Sequence, residues 1–504
     1  MEPNVVWITV DSVRADHTTV GGYERDTTPN LARIADADRG LSFEHCISSG
    51  TGTPYSSASI LTGTYPTRHG VKTTNEYLPE SLSTLPELLG RAGYRTACLS
   101  RNSYVSPGTG LDRGFDRFSW VSGSTILEAV PYRTLVKYAA NLWRHSAGLA
   151  RDTAKYATPY VMNDVAKRWV RDLRGAEPFF LYLHYNEPHR PYYPPLPYVD
   201  TYTDDIEMSA AEAAEFSIEV HRRLDEHIAE GPDFTEGEWA ALRAMYDAEI
   251  RYTDEMVGRL FDHVQSLDLG PTIFVVTADH GELFGEHGLL SHKVVVDDAL
   301  THVPLVTHGF DGIGDRTDGL VQQVDLTTTL AEMVGEGSDQ LQGVDLRETT
   351  RGHAVVQRGP FDFSLFTDHD PDFDASRFHH GTVHAVRTKE FRYERSDSME
   401  RLLDLPDEDT DVNSEFDASR FHHGTVHAVR TMEYRYEQSD SMERLLDLPD
   451  EGTDVREAHP EVTAALSATL DDWVQANADP VEAESESQLD DAMRRQLRDL
   501  GYVE

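Results

Sequence analysis

Short apolar runs alternate along the chain with longer segments in which apolar residues recur every three or four positions. The short runs are rich in β-branched and aromatic residues, and they predict strands at 5–10, 96–100, 179–184, 272–277 and 303–306. The periodic segments predict amphipathic helices at 161–173 and 239–264. Apolar strands separated by such helices are typical of a mostly parallel sheet with helices on both faces, so the predicted fold class is α/β.

Two segments depart from this alternation. Residues 123–160 fit it poorly and are predicted to form a helical insertion over the carboxyl ends of the strands, where ligands of parallel sheets bind. Residues 198–236 are acidic and are predicted to be loop-like.

The C-terminal part of the chain contains an internal repeat. Residues 373–412 recur as 416–455, and 36 of the 40 aligned positions are identical. A solenoid needs at least about three stacked units, so two copies this similar indicate a tandem duplication. Each copy predicts two strands followed by a Leu-rich stretch, which together are typical of a small antiparallel sheet.

The charge balance narrows the possible partners. The chain has 88 Asp+Glu against 45 Lys+Arg, a net charge of −43, and only six of the basic residues are lysines. This charge disfavours nucleic acid or an anionic membrane surface as a partner. A lysine-poor acidic surface suits a salt-saturated cytoplasm, where screening weakens self-repulsion, so we predict an extremely halophilic source. A merely acidic mesophilic protein is the alternative.

Compartment and membrane topology follow from what the sequence lacks. The two cysteines, Cys46 and Cys98, form no disulfide framework. No stretch approaches the ~18 consecutive apolar residues of a membrane span, and no signal-peptide pattern precedes the first strand. These features predict a cytoplasmic protein without a membrane span.

Polar side chains follow three of the predicted strands. In chain order they are Asp11 and Arg14, His184 and His189, and Asp279 and His280. A single aspartate after a strand is usually a turn or capping residue. Several carboxylates and imidazoles meeting at one sheet edge instead predict a site for a divalent cation.

A loop rich in glycine and hydroxyl side chains, residues 48–53, leads into a predicted helix. A hydroxyl at this position is most often an N-cap. The same position also stabilises a nucleophilic oxyanion and an anionic ester, because free N–H groups and the helix dipole face it.

These motifs resemble sulfatases of the alkaline phosphatase superfamily, over residues 5–502. The resemblance rests on Asp11 with Arg14, Leu-Thr-Gly-Thr-Tyr-Pro at 61–66, Pro-His-Arg-Pro-Tyr at 188–192, and Asp-His-Gly-Glu-Leu-Phe-Gly-Glu-His-Gly at 279–288. It implies an alkaline-phosphatase-like sheet with a small C-terminal subdomain of antiparallel sheet and helix. The implied division is a catalytic domain over 1–355, a subdomain over 356–478 containing the duplication, and an acidic tail over 479–504.

The sequence departs from the family at the nucleophile. Counting back nine positions from Thr62, in the later Thr-Gly, places Thr53 where the family has a Cys or Ser that is converted to formylglycine. Threonine cannot undergo that conversion, and Thr53 instead resembles the nucleophile of the superfamily's phosphodiesterases and phosphoglycerol transferases. Ser12 stands where a second aspartate is usual, and Ser103 where a histidine is usual.

The resemblance implies a role for each candidate residue. Asp11, Thr53, Asp279 and His280 would bind one divalent ion (Ca, Mn or Zn), which activates the Thr53 hydroxyl for in-line attack. Lys293 and Arg101 would neutralise the ester oxygens, and His189 would protonate the leaving oxygen. Arg14 and His184 are candidate substrate-binding residues, and a supporting role behind the ligands is the alternative for His184.

Three functions remain open. The first is a metal-dependent hydrolase of sulfuric or phosphoric esters that forms a covalent ester on Thr53. The second is a phosphodiesterase or a phosphoglycerol-type transferase, and the third is an inactive relative that binds an anionic ligand. The expected substrate is a small-molecule, glycan or lipid-headgroup ester, and nucleic acid is not an expected partner.

Overall fold

A computed structural model describes residues 2–73, 76–148, 155–314 and 316–387, short strand segments between 391 and 447, and 472, 489–491 and 493–494. Its central element is an eight-stranded sheet. The strands of that sheet are β1 (Asn4–Val10), β2 (Gly40–Ile47), β3 (Arg95–Ser100), β4 (Arg117–Trp120), β5 (Phe179–Tyr185), β6 (Thr272–Ala278), β9 (His302–His308) and β10 (Leu320–Val321). A separate two-stranded ribbon joins β7 (Leu283–Phe284) to β8 (Leu290–Ser291).

The sheet order is β10-β2-β9-β6-β1-β5-β3-β4. Only β9 pairs antiparallel to its neighbours, β2 and β6. Every residue of β1 and β5 is buried, so both faces of the sheet are covered. The predicted α/β class with a mostly parallel sheet is therefore confirmed, and the apolar runs identified the central strands because both of their faces are buried.

The described helices pack in groups beside the sheet. One group contains the long α11 with α1, α8 and α9, and another contains α2, α4 and α13. The helices are α1 (Pro29–Ala35), α2 (Thr53–Thr62), α3 (Pro66–His69), α4 (Leu85–Arg91), α5 (Ile126–Ala129), α6 (Tyr132–Ala140), α7 (Leu142–His145), α8 (Pro159–Leu173), α9 (Ala210–Arg222), α10 (Leu224–Glu230), α11 (Glu236–Gln265), α12 (Asp298–Thr301), α13 (Gln323–Met333) and α14 (Ser364–Thr367).

One predicted loop is wrong, because residues 198–236 contain α9 and α10. Helix α9 begins with a capping box, in which Ser209 and Glu212 exchange side-chain and backbone hydrogen bonds. Ala213, Ala214 and Ile218 are buried while its glutamates are exposed, so the acidic composition reflects an amphipathic helix. The predicted insertion contains α5, α6 and α7.

The C-terminal repeats form antiparallel strands. Strands β11 (Ala354–Arg358), β12 (Val383–Arg387), β13 (Phe391–Arg395) and β14 (Glu400–Asp404) form one sheet, and β15 (Val426–Arg430), β16 (Tyr434–Ser439) and β17 (Glu443–Asp447) form a second. The pairing register is the same in both copies: Ala385 faces Glu394, and Ala428 faces Glu437. The C-terminal helix that the resemblance implies and the tail over 479–504 lie almost entirely outside the described residues.

Candidate active site

The site lies where β1, β5 and β6 end. These strands are parallel neighbours, and Val10 is in register with both Tyr185 and Ala278. Asp11 and Asp279 are the next residues after β1 and β6, and His184 is the penultimate residue of β5. Strand register alone therefore brings two carboxylates and an imidazole from three distant parts of the chain to one sheet edge.

Asp11, His184 and Asp279 each direct one ligand atom into a group whose atoms lie within 4.8 Å of one another. His184 Nε2 is 3.7 Å from Asp11 Oδ2 and 3.7 Å from Asp279 Oδ2, and all three side chains are buried. Within the described residues, His184 Nε2 and Asp279 Oδ2 have no hydrogen-bond partner. Buried polar atoms are rarely left unsatisfied, so this group fits a bound cation.

His280 completes the same group. Its Nε2 lies 3.5 Å from Asp11 Oδ1 and 3.7 Å from Asp279 Oδ2. Its Nδ1 lies 2.8 Å from the carbonyl oxygen of Gly281 and is assigned as the donor. That tautomer leaves the Nε2 lone pair directed at the carboxylates, as a metal ligand requires.

The electrostatics of the two aspartates also suit a cation. Burial acts to raise the pKa of Asp11, but His189, His184 and His280 hold it below its usual range. Burial and the charge of Asp11 raise the pKa of Asp279. Burial acts to lower the pKa of His280, but the charges of Asp279 and Asp11 outweigh it and raise that pKa. A divalent cation would favour the ionised form of both carboxyls, because it supplies the charge that the site lacks.

Thr53 is the first residue of α2, and its side chain is buried beside this group. Its Oγ1 lies 3.2 Å from His280 Nε2 and 3.5 Å from Asn102 Nδ2. The preceding loop is fixed to the same edge, because Ser48 Oγ donates to the carbonyl oxygen of Asp279 at 2.5 Å. Thr53 therefore offers a hydroxyl at a helix N-terminus, next to the carboxylates and imidazoles.

Asn102 is a site residue that the sequence did not single out. It lies two positions after β3, and its Nδ2 donates to Asp11 Oδ2 at 2.8 Å. The contact depends on β3 lying beside β5, which lies beside β1. Its position after a strand was the available signal, but such positions are common among turn residues.

His189 and His292 extend the site on one side. The ring of His292 is 4.4 Å from that of His280 and 5.0 Å from that of His189. Burial lowers the pKa of His189 to about 3, although the charge of Asp11 opposes the shift. The structure thus presents His189 as a neutral imidazole near neutral pH. His292, adjacent to Lys293 in sequence, has no role among those that the resemblance implies.

The three predicted cationic residues, Arg14, Lys293 and Arg101, have contacts other than the carboxylate and imidazole group. Arg14 donates to Asp16 at 2.6 and 2.8 Å and to Glu286 at 2.7 Å, so its guanidinium is bound by two carboxylates. Lys293 Nζ is 3.9 Å from Asp225 Oδ1, and burial lowers its pKa to about 8. Arg101 follows β3, and its backbone N–H donates to the carbonyl oxygen of His184. Their predicted roles toward substrate stay predictions.

The mostly parallel sheet and the buried carboxylate and imidazole group at its edge, which could hold a metal ion, fit the class of ester hydrolases with an alkaline-phosphatase-like sheet. The sulfatase family profile matches residues 3–336, well over half of the chain. The chain therefore belongs to the sulfatase family and is a sulfatase-like ester hydrolase, as the motifs predicted. No helix in the described ranges combines the length and apolar character needed to cross a membrane.

Individual relatives are distant. The chain is similar to the N-acetylglucosamine-6-O-sulfatase of Bacteroides thetaiotaomicron, with 24% identity over 412 residues, 68% of this chain and 70% of that protein. It is 27% identical over 389 residues to the multifunctional alkaline phosphatase superfamily protein PehA of Trinickia caryophylli, covering 66% and 74%. The phosphonate monoester hydrolase structure from Silicibacter pomeroyi aligns with a TM-score of 0.65 at 21% identity, over 97% of this chain and 100% of that chain. At that identity, the structural likeness concerns the fold alone.

Proposed function

We propose that this protein hydrolyses monoanionic sulfuric or phosphoric esters, with Thr53 as the nucleophile and one divalent ion as cofactor. The observation that carries the proposal is the position of Thr53 Oγ1, 3.2 Å from His280 Nε2, beside the buried group formed with Asp11 and Asp279. A hydroxyl is a weak nucleophile until it is deprotonated, and the buried group lies close enough to Thr53 to assist its deprotonation.

The residues that would hold the ion are Asp11, Asp279 and His280, with His184 as a fourth donor. When bound, a divalent ion lowers the pKa of a coordinated hydroxyl and stabilises negative charge on the ester oxygens. Two imidazoles beside two carboxylates favour Mn²⁺ or Zn²⁺ over Ca²⁺, which prefers an all-oxygen set.

The chain's own groups support covalent catalysis. The Thr53 oxygen would attack sulfur or phosphorus in line and form a threonyl ester as the bond to the leaving oxygen breaks. The positive end of the α2 dipole, where Thr53 lies, would stabilise charge on the transferred group. His189 is neutral near neutral pH, so it would serve as the leaving-group acid only if the charge of the bound ester raises its pKa.

The charge of the site favours a monoanion. In the sulfatase motif an arginine stands four positions after the nucleophile, and this chain has Ser57 there. The Arg14 guanidinium is bound by Asp16 and Glu286. Fewer available cations disfavour a phosphomonoester dianion more than a sulfate monoester or a phosphodiester. The sulfatases named among the relatives favour the sulfate ester and hydrolysis.

A phosphodiesterase or phosphoglycerol-type transferase is the second candidate, because Thr53 replaces the formylglycine precursor. An inactive anion-binding relative is disfavoured by the intact carboxylate and imidazole group. The deciding experiment compares aryl sulfate, aryl phosphate and aryl phosphodiester substrates in high KCl with Mn²⁺ or Zn²⁺. Turnover of the sulfate that Thr53→Ala abolishes supports the proposal, turnover of the diester alone favours the second candidate, and equal turnover by Thr53→Ala contradicts both.

The C-terminal division also remains a proposal. Strand β11 contacts the loop at 48–53 that leads into Thr53, since the Gln357 N–H donates to the carbonyl oxygen of Ser49 at 2.9 Å. The first repeat continues the sheet that begins with β11, and the second repeat forms a sheet of its own. We propose that the first copy is the native subdomain and that the second is an additional unit that contributes no catalytic group.

A further inference from the structure

The helical insertion carries the most exposed large apolar side chains of the described chain. The exposed fractions are 81% for Leu127, 71% for Tyr132, 62% for Val136 and 63% for Trp143. Outside the insertion, Leu196 alone is comparable among the described residues, at 38%. Scattered single apolar residues are normal on a surface, but four on the three consecutive short helices α5, α6 and α7 are a local concentration, called the apolar patch below, that points to a partner.

The insertion is folded against the domain by its other face, so this exposure is not a sign of poor packing. Thr134 is buried, and its hydroxyl donates to Asp164 at 2.5 Å. The His145 ring stacks on the Tyr160 ring at a centroid distance of 4.0 Å. Leu135 and Tyr138 pack against the main core. The helices thus hold one face inward and present Tyr132, Val136 and Trp143 outward.

The charge of the insertion is opposite to that of the protein. Residues 121–148 contain three Lys+Arg and one Asp+Glu, in a chain with 45 and 88. The basic residues are Arg133, Lys137 and Arg144, and all three are exposed. Lys137 Nζ is paired with Asp164 Oδ1 at 2.7 Å, so Arg133 and Arg144 carry most of the positive charge of this surface. They alternate with the exposed Tyr132, Val136 and Trp143, which is the pattern of a basic amphipathic segment that binds at a membrane surface.

We propose that α5, α6 and α7 form a docking surface for an anionic lipid bilayer. Tyr and Trp side chains are favoured at the interface between water and lipid, and basic residues add attraction to anionic headgroups. The net charge of −43 would repel such a surface elsewhere on the molecule, so the local reversal of charge gives the interaction one orientation.

A second copy of the chain fits the patch less well. The described surface has no other group of exposed large apolar residues to match it. A symmetric contact would have to pair the patch with itself. Arg133, Lys137 and Arg144 of both copies would then face one another, which is unfavourable.

Docking in this way would direct the catalytic edge toward the lipid. Strand β4 leads into the insertion, and Trp120 at its end is in register with Ser100, which is in register with His184. The insertion therefore leaves the sheet at the edge that carries Asp11, Asn102 and His184. Binding to lipid is independent of the proposed chemistry and can be tested without any turnover assay.

The test is flotation of the full-length protein with phosphatidylglycerol vesicles and with phosphatidylcholine vesicles, at the lowest KCl that preserves its circular dichroism spectrum. The variants are a serine triple (Tyr132→Ser, Val136→Ser, Trp143→Ser) and a charge-reversed pair (Arg133→Glu, Arg144→Glu). The control pair is Arg39→Glu with Arg91→Glu, two exposed arginines that precede β2 and β3 at the opposite sheet edge.

We expect the wild-type protein to float with phosphatidylglycerol vesicles and its tryptophan emission to shift to shorter wavelength. The serine triple should bind at least about tenfold more weakly, because its apolar contacts are lost. The charge-reversed pair should bind the vesicles at least about fivefold more weakly for each reversed residue. The control pair should bind like wild type. Absence of wild-type flotation, or equal flotation of the serine triple, would overturn the proposal. Self-association without lipid that the serine triple abolishes would assign the patch to a second copy instead.

Discussion

Asn102 offers a specific test of how the site is built, because it bonds the carboxylate that anchors the group. Its Nδ2 donates to Asp11 Oδ2 at 2.8 Å, and both side chains are fully buried. The substitution Asn102→Ala removes this bond and leaves one Asp11 oxygen without its donor. A hydrogen bond to a charged group contributes about 1.5–3 kcal/mol, which corresponds to roughly ten- to 150-fold in an equilibrium constant.

The hydrogen bond from Asn102 favours the ionised form of Asp11 and holds its carboxylate in the orientation in which it would bind the ion. We therefore expect Asn102→Ala to weaken Mn²⁺ affinity by about ten- to 100-fold, the range found when groups that orient metal ligands are removed. The assay is Mn²⁺ titration of the apoprotein, followed by isothermal calorimetry and by recovery of ester turnover. Excess Mn²⁺ should restore much of the activity.

Ser103→Ala is the matched control. Ser103 is the next residue and is equally buried, and its Oγ has no hydrogen-bond partner among the described residues. Its truncation should leave Mn²⁺ affinity within about twofold of wild type, because no hydrogen bond is lost. Wild-type affinity in Asn102→Ala, or an equal loss in both variants, would refute the reasoning.

Three further predictions concern the ion, the pH profile and the repeat. Metal analysis should find one equivalent of Mn or Zn per active chain, since one carboxylate and imidazole group is found among the described residues; two equivalents would contradict this. Lys293, with its pKa lowered to about 8 by burial, is charged below that pH, so kcat/KM for an anionic ester should fall as the pH rises through 8. Lys293→Arg should move this fall in kcat/KM to higher pH. A fall at the same pH in Lys293→Arg would show that Lys293 is not the group responsible. Deletion of 373–415 should preserve folding and turnover, because the second copy repeats the same strand register; a monodisperse but inactive product would show that the duplication builds part of the site.

The sequence predicts the central sheet well because its physical signal is local. Strand β5 is buried along its whole length, so it reads as a continuous apolar run. Asp11 and Asp279 were recognisable for the same reason, since each follows directly from such a run. The capping box of Ser209 and Glu212 marks the start of α9 in the sequence itself, but the acidic composition around it is equally typical of a loop, so composition alone gives the wrong prediction there.

Contacts that depend on strand order could not be predicted in the same way. Asn102 reaches Asp11 only because β5 separates β3 from β1 by a single strand. His184 lies within a strand, and only the register with β1 and β6 shows that its Nε2 meets both carboxylates. Arg14 shares a motif with Asp11, yet Asp16 and Glu286 bind its guanidinium, and the second of these is remote in sequence.

The central claim is that Thr53 carries the transferred group during turnover. The most direct measurement is mass spectrometry of the metal-loaded enzyme, acid-quenched during turnover of an aryl sulfate or an aryl phosphodiester. We predict added mass on the peptide that contains Thr53, equal to a sulfuryl group for the sulfate or to a phosphoryl group with its remaining ester substituent for the diester. We predict none in Thr53→Ala, whose turnover is lost. Turnover by Thr53→Ala at the wild-type rate, or the added mass on another residue, would contradict the account.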